Sequence, residues 1–191
     1  NTNSMKYIAI SLLAFLIQNS TVIKLEDYYC GEGVIFNKNI KYPFVEPNYK
    51  EGYTPTIDDV KKTETHLFNN YYEYETNVLD SFNLDKSKFK IKFKKPLNVK
   101  KKFLKYNRQY AGFIDKSNDT IIYIGLLNFE NKKLANKNFE GWKENIFFGF
   151  DGFYQKNQKT YLYNLSKNKF IYKLDTSGYK NNLLHENIHK N

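Results

Sequence analysis

Cysteine is almost absent from this chain of 191 residues, because Cys30 stands alone, and a single cysteine excludes an internal disulfide. The sequence also lacks a glycine-rich phosphate loop, a cysteine metal cluster and a plausible Cys/His nucleophile pair, so the common motifs for those chemistries are missing. Arginine is equally scarce, since Arg108 is the only one among 30 lysines and arginines. Its rigid, permanently charged fork makes Arg108 a candidate for a geometric role that lysine cannot fill.

Aromatic residues and positive charge are abundant instead. The 17 Tyr and 16 Phe favour a folded, strand-rich protein over a disordered one. The formal net charge of +10 suits an anionic partner, such as nucleic acid, lipid head groups or acidic glycans, without choosing among them.

The N-terminal stretch has the pattern of a secretory signal peptide. Lys6 follows Met5, the expected start after a short leading remnant, and residues 7–17 then form an apolar run. The run is too short to span a bilayer, so no transmembrane span is expected. We predict that residues 1–20 are removed on export to the periplasm or beyond the cell; a buried first helix or strand is the alternative.

A helix start is well marked in the middle of the chain. Thr54 with Pro55, or Thr56 with Asp59, has the spacing of a helix N-cap. The apolar positions that follow predict an amphipathic helix of four to five turns ending near Tyr74. Its inner stripe comprises Ile57, Val60, Glu64, Leu67, Phe68 and Tyr71.

Strands are predicted where apolar residues alternate or cluster between turn signals. Residues 88–94 alternate lysine with Phe89, Ile91 and Phe93, and Pro96 ends that strand. Further strands are expected at residues 104–114, 120–127, 145–150, 161–165 and 170–174. Their connections are a turn at 115–119, a polar loop at 128–142 and a turn or bulge at 151–152.

These elements predict an α+β fold, with one amphipathic helix on a curved antiparallel sheet of about five strands. The single α+β domain would span residues 53–179. Before it, residues 21–52 indicate an irregular arm with one short strand near residues 33–36. After it, residues 180–191 indicate a polar tail.

Three segments carry a resemblance: Tyr53-Thr-Pro-Thr56, Tyr106-x-Arg-Gln-Tyr-x-Gly112 and Phe150-Asp-Gly152. Together they resemble a family of small exported bacterial proteins of unknown function, and the order of helix and meander resembles a cystatin-like layout. The resemblance covers roughly residues 53–179 and implies a helix lying across the sheet, with no assigned activity. Phe153 stands where a second glycine would be expected.

One catalytic motif occurs, at His185-Glu-Asn-Ile-His189. On a helix, His185 and His189 share a face and can hold zinc, while Glu186 activates the metal-bound water. A third ligand is needed, and His66 is the remaining histidine. Because the segment before the motif is polar, unlike a buried active-site helix, we expect no cofactor and keep a zinc-dependent hydrolase as an alternative.

Ten lysines and no acidic residue lie between Lys86 and Lys105. One interpretation is a solvated strand face that prevents edge pairing, and the other is a polyanion-docking surface. Because alternation turns the aromatic residues away from the lysines, no specific nucleic-acid readout is expected. The docking surface would comprise Lys88, Lys90, Lys92, Lys94, Lys100, Lys101 and Lys102.

Glu64 falls on the apolar stripe of the helix, so its carboxylate needs a partner or a raised pKa. Arg108 shares one face of its strand with Tyr106 and Tyr110. We predict a partly buried Glu64–Arg108 ion pair completed by tyrosine hydroxyls; ligand binding in a cleft between helix and sheet is the alternative. The whole pattern favours an exported binding or structural protein over an enzyme.

Overall fold

The sheet and its helices are seen in a computed structural model, which describes residues 19–43, 48–81, 84, 91–149 and 152–172. Within these residues the chain forms seven strands and four helices. The strands are β1 (Ser20–Ile23), β2 (Gly33–Phe36), β3 (Tyr49–Tyr53), β4 (Tyr106–Asp115), β5 (Thr120–Asn128), β6 (Gln158–Asn164) and β7 (Lys169–Ile171). The helices are α1 (Ile57–Ser81), α2 (Pro96–Lys102), α3 (Lys132–Asn138) and α4 (Gly152–Asn157).

All seven strands belong to one sheet in the order β1-β2-β4-β5-β6-β7, and β3 pairs with β4 beyond the end of β2. β2 runs parallel to β4, whereas the other pairs are antiparallel. The α+β class is therefore confirmed. The purely antiparallel sheet of about five strands is wrong, because the parallel β2–β4 pair makes the sheet mixed and the arm adds strands.

The predicted irregular arm at residues 21–52 supplies β1, β2 and β3. Only the short strand at residues 33–36 was foreseen, and it is confirmed as β2. All four of its residues are buried, because β1 and β4 flank it, Ile35 packs in the core on one face of the sheet, and Val34 and Phe36 pack in the core on the other. A buried segment has to pair its backbone N–H and C=O groups, and the sheet is where this segment pairs them.

The central hairpin follows the predicted pattern. β4 and β5 are buried along most of their length, and the turn between them is closed by Asp115. Its carboxylate accepts hydrogen bonds from the backbone N–H groups of Ser117 and Asp119, both at 2.9 Å. β6 and β7 form the predicted last hairpin, in which β7 ends at Ile171, and residues 173–174 of the predicted strand lie outside the described residues.

Helix α1 begins with the predicted capping box. The backbone N–H of Asp59 donates to Thr56 Oγ1 at 3.1 Å, and that of Thr56 donates to Asp59 Oδ2 at 2.9 Å. The helix continues to Ser81, well past the predicted end near Tyr74. Val78 and Leu79 are buried, and Val78 belongs to the apolar cluster between α1 and the sheet, so tertiary packing stabilises the extra turns.

The predicted strand at residues 88–94 is wrong where it is described, since residues 91–94 belong to no strand. Pro96 begins α2 instead of only ending a strand. Proline suits the first position of a helix, because its missing N–H would have no partner there.

Two predictions between β5 and β6 are also wrong. The polar loop at 128–142 contains α3, whose N-cap Asn131 accepts from the backbone N–H of Leu134 at 3.1 Å. The predicted strand at 145–150 is not one over its described residues 145–149. Of the predicted turn or bulge at 151–152, Asp151 lies outside the described residues, and Gly152 begins α4.

The sheet is buried on both faces, because alternation along each strand supplies two apolar sets. The core between this sheet and helices α1 and α2 includes Ile35, Leu67, Tyr71, Tyr110, Ile124 and Tyr163. The core on the opposite face, beneath α3 and the segment after it, includes Val34, Phe36, Ala111, Tyr123, Phe139 and Trp142.

Candidate functional site

The structure brings Glu64 and Arg108 together between α1 and β4. Arg108 Nε donates to Glu64 Oε1 at 2.9 Å, and both side chains are 0% exposed. Their burial is therefore complete, beyond the partial burial that the sequence indicated. The pair crosses the interface between the helix and the sheet.

The guanidinium of Arg108 also binds the end of α2. Its two terminal nitrogens donate to the carbonyl oxygens of Tyr106 at 2.7 Å and Phe103 at 3.1 Å. The Tyr29 ring lies against it, with 4.7 Å from the ring centroid to Cζ. Arg108 thus connects α1, α2, β4 and the segment before β2, and a lysine could not make these three directed bonds.

Glu64 receives a second bond from the sheet, because the Tyr110 hydroxyl donates to Oε1 at 2.8 Å. Burial and the nearby Glu64 carboxylate hold the pKa of Tyr110 well above its usual range, so the hydroxyl remains a donor. Tyr106 contributes its backbone carbonyl, which accepts from the Arg108 guanidinium. Glu64 Oε2 is buried and accepts no hydrogen bond from the described residues.

Tyr29 closes this cluster on the side of β2. Burial raises the pKa of Tyr29 to about 12, although interaction with Tyr110 lowers it. The Tyr29 hydroxyl nonetheless makes no hydrogen bond of normal geometry within the described residues. A Cβ on Gly33 would meet that hydroxyl at 2.2 Å, so glycine is required there. The Glu64–Arg108 cluster has no exposed member that a substrate could reach, and its arrangement suits fixing α1 on the sheet.

Gln109 plays a matching role on the opposite face of β4, which the sequence analysis missed. Its amide nitrogen donates to the carbonyls of Trp142 and Asn145, the latter at 2.7 Å, and its oxygen accepts from Phe147 N–H at 3.0 Å. Gln158 similarly accepts from Gly149 N–H at 3.0 Å. Two glutamine side chains therefore bind residues 142–149 in place of a strand ladder.

The histidine motif cannot be placed, since His185, Glu186 and His189 lie outside the described residues. His66 lies against aromatic rings, 4.8 Å from the centroid of Tyr163 and 5.1 Å from that of Phe170. Among the residues that the structure describes, no group of three or more His, Cys, Asp or Glu is suited to a metal ion. Every helix in that same part is too short or too polar to cross a bilayer.

The lysines divide into several environments instead of forming one strand face. Lys88 and Lys90 lie outside the described residues. Lys102 Nζ donates to the Tyr71 hydroxyl at 2.8 Å and lies 4.9 Å from the ring centroid of Phe93 and 5.0 Å from that of Phe103. The remainder on and before α2, termed the lysine surface, comprises Lys92, Lys94, Lys95, Lys100 and Lys101.

Beside the lysine surface, an open cleft of about 510 Å³ separates α1 from α2. Lys100 crosses between its walls and donates to the carbonyl oxygen of Asp27. Tyr28 stacks on Phe68 with their centroids 6.2 Å apart, and Leu97 at the rim is 61% exposed. The volume of the cleft is within the usual range for small-ligand sites. The lining comprises Asp27, Tyr28, Lys61, Thr65, Phe68, Asn69, Pro96, Leu97 and Lys100.

In comparisons with known proteins, no family model, curated protein or solved structure matches the chain.

Proposed function

We propose that this protein is an exported, non-catalytic binding module that takes an anionic partner on the side of α2. The cleft between α1 and α2 carries the proposal, because it is concave, open to solvent and bounded by Lys61 and Lys100. The lysine surface continues the positive charge beyond the cleft. Glu64, Arg108 and Gln109, by contrast, are 0% exposed and hold the fold together.

Binding to a polyanion at several salt concentrations tests the proposal. Sodium polyphosphate and dextran sulfate are suitable probes, since both present dense negative charge. We expect the triple variant Lys92→Gln/Lys94→Gln/Lys101→Gln to bind more weakly. The slope of log affinity against log salt should fall by roughly 2–3, since each neutralised contact contributes about one.

A matched control lies on the other face of the sheet. Lys132, Lys133 and Lys137 on α3 are exposed, so their replacement by glutamine removes the same charge away from the cleft. This control should bind as the unchanged protein does. Equal losses in both triple variants would show that net charge alone attracts the polymer, and absence of binding to either probe would overturn the proposal.

We propose further that no cofactor is required, leaving the zinc-dependent hydrolase as the competing function. Metal analysis after dialysis, with His185→Ala for comparison, separates the two. One tightly held zinc that the substitution removes would favour the hydrolase.

Export is part of the same proposal. So is a relationship to small exported proteins of cystatin-like layout, which the three motifs support. N-terminal sequencing of protein from the native cell tests export. We expect residues up to about Ser20 to be missing, and an intact Met5 on cytosolic protein would contradict it.

A further inference from the structure

The cleft between α1 and α2 combines aromatic, basic and uncharged or acidic polar side chains. Tyr28 and Phe68 provide stacked aromatic rings. Lys61 and Lys100 provide positive charge at the boundary. Asp27 adds a carboxylate, which accepts hydrogen bonds, while the Thr65 hydroxyl and the Asn69 amide both donate and accept them.

Much of this polar capacity is unused within the described part of the chain. The side chains of Asp27, Lys61 and Asn69 make no hydrogen bond or ion pair there. One N–H of the Lys100 ammonium donates to the Asp27 carbonyl, and its other two N–H groups are available to a ligand. Leu97 adds an apolar side chain that is 61% exposed at the rim. The cleft therefore offers groups to a ligand without first breaking its own contacts.

The walls of the cleft are also held in place before any ligand arrives. Lys100 joins α2 to the segment of Asp27, and the Tyr28 hydroxyl lies 3.4 Å from Thr65 Oγ1 on α1. The stacking of Tyr28 on Phe68 fixes the same segment against the helix. A preformed site loses less conformational entropy on binding than one that has to be ordered.

From this chemistry we infer that the cleft binds a short segment of an acidic polysaccharide, one bearing uronate or sulfate groups on a hydroxyl-rich sugar. The inference rests on the proposed function and specifies its ligand. Sugar hydroxyls can donate to the Asp27 carboxylate, and they can both donate to and accept from the Asn69 amide. The apolar face of a sugar ring suits Tyr28 and Leu97, and the acidic group suits Lys61.

Other anionic ligands fit the same cleft less well. The backbone of a nucleic acid has few hydroxyl donors for the Asp27 carboxylate, whereas each ring of an acidic polysaccharide carries several. A fatty acyl chain favours an enclosed apolar pocket, and this cleft is open and lined by Thr65, Asn69 and lysines.

Calorimetric titration of the full chain with three probes tests the inference. The probes are a tetramer of galacturonic acid, the same tetramer with its carboxyls methyl-esterified, and a short polyphosphate of equal charge. We expect the galacturonate to bind, and the ester to bind at least about tenfold more weakly because the charge-assisted bonds to lysine are lost. The affinity for polyphosphate should depend only on the salt concentration and on the lysines.

Two substitutions locate the binding. Asn69→Ala should weaken galacturonate about tenfold while leaving polyphosphate unchanged, because only the sugar uses the amide. Lys61→Gln should weaken both. Asn136→Ala and Lys137→Gln on α3 are exposed matched controls and should change neither.

The outcomes separate this inference from the general one. One outcome would overturn the saccharide inference and leave the polyanion function standing. In that outcome the protein binds galacturonate no more tightly than polyphosphate, and Asn69→Ala does not change the galacturonate affinity. Binding of an equally charged single-stranded oligonucleotide more tightly than galacturonate would do the same. Binding of no anion would overturn both.

Discussion

Replacing Glu64 by glutamine or Arg108 by methionine leaves one buried charge without its partner. We expect each substitution to lower the free energy of unfolding by about 3–5 kcal/mol, the usual result of breaking a buried pair from one side. The double variant should lose less than the sum, because it buries no unpaired charge. Denaturant unfolding measures all three, and small additive losses would show that the pair is not coupled.

Two further variants sharpen this test. Arg108→Lys should recover only part of the stability, because the bonds to the Phe103 and Tyr106 carbonyls need the planar fork. Glu73→Gln on the exposed side of α1 is the control and should change the free energy of unfolding by less than about 0.5 kcal/mol.

The sequence predicted this pair because both residues were conspicuous. Glu64 interrupts an apolar stripe, and Arg108 is the only arginine. The partners at Tyr29 and Phe103 could not be predicted, since they depend on where α2 and the segment before β2 pack. Gln109 gave no signal at all, because a single glutamine on a strand carries no periodicity that marks it as buried.

At the scale of elements, the capping box of α1 should contribute measurably to stability. Thr56→Ala should lower the free energy of unfolding by about 1 kcal/mol, whereas Thr56→Ser keeps the accepting oxygen and should cost much less. Denaturant unfolding of the two variants is the measurement. Equal losses would mean that the hydroxyl bond to Asp59 N–H contributes nothing.

Asp59 makes the same cap sensitive to pH. Burial raises the pKa of Asp59, but hydrogen bonds from Tyr53 and Thr56 outweigh it and leave the pKa below its usual value. A lowered folded-state pKa stabilises the fold above the unfolded pKa, and this contribution is lost as the pH falls through the folded value. Asp59→Asn should therefore be less stable than the unchanged protein at pH 7, and the difference should shrink towards pH 3. A constant difference in unfolding free energy across that range would contradict this.

Residues 142–149 should loosen when Gln109 is replaced by methionine. The substitution leaves the Phe147 N–H and two carbonyls without partners, which costs about 1–3 kcal/mol for each group that stays buried. Hydrogen exchange at the Phe147 amide should accelerate, while exchange in α3 stays unchanged. Unchanged exchange at Phe147 would show that other contacts hold this segment.

The errors in predicting elements share one cause. Residues 145–149 have the apolar composition of a strand, but side chains of Gln109 and Gln158 satisfy their backbone groups instead of a neighbouring strand. The short helix α3 has little apolar periodicity and is fixed by burial of Ala135 and by its Asn131 cap. Local patterns predict an element's preference, while its partners are set by the tertiary structure.

For the whole molecule, the first strands are part of the fold and not an appendage. Phe36 on β2 is 0% exposed and belongs to the same apolar cluster as Trp142. We expect Phe36→Ala to lower the global free energy of unfolding by about 3–5 kcal/mol, as for other buried aromatic residues. Trp142 fluorescence and far-ultraviolet circular dichroism should report one coincident transition. Two separate transitions would mean that the arm unfolds independently.

The parallel pairing of β2 with β4 has a consequence for how the chain folds. Glu32 N–H binds the Asn107 side chain across a separation of 75 residues, whereas β4, β5 and β6 are joined to their neighbours largely in sequence order. Closing so long a loop loses chain entropy before any contact compensates it, and non-local pairing slows folding. The β4–β6 meander can therefore form early, and the β1–β2 hairpin has to wait for β4 as its template. Until that hairpin docks, the edge of β4 is open to the same hairpin of another chain, so refolding at high concentration favours exchange of this hairpin between molecules.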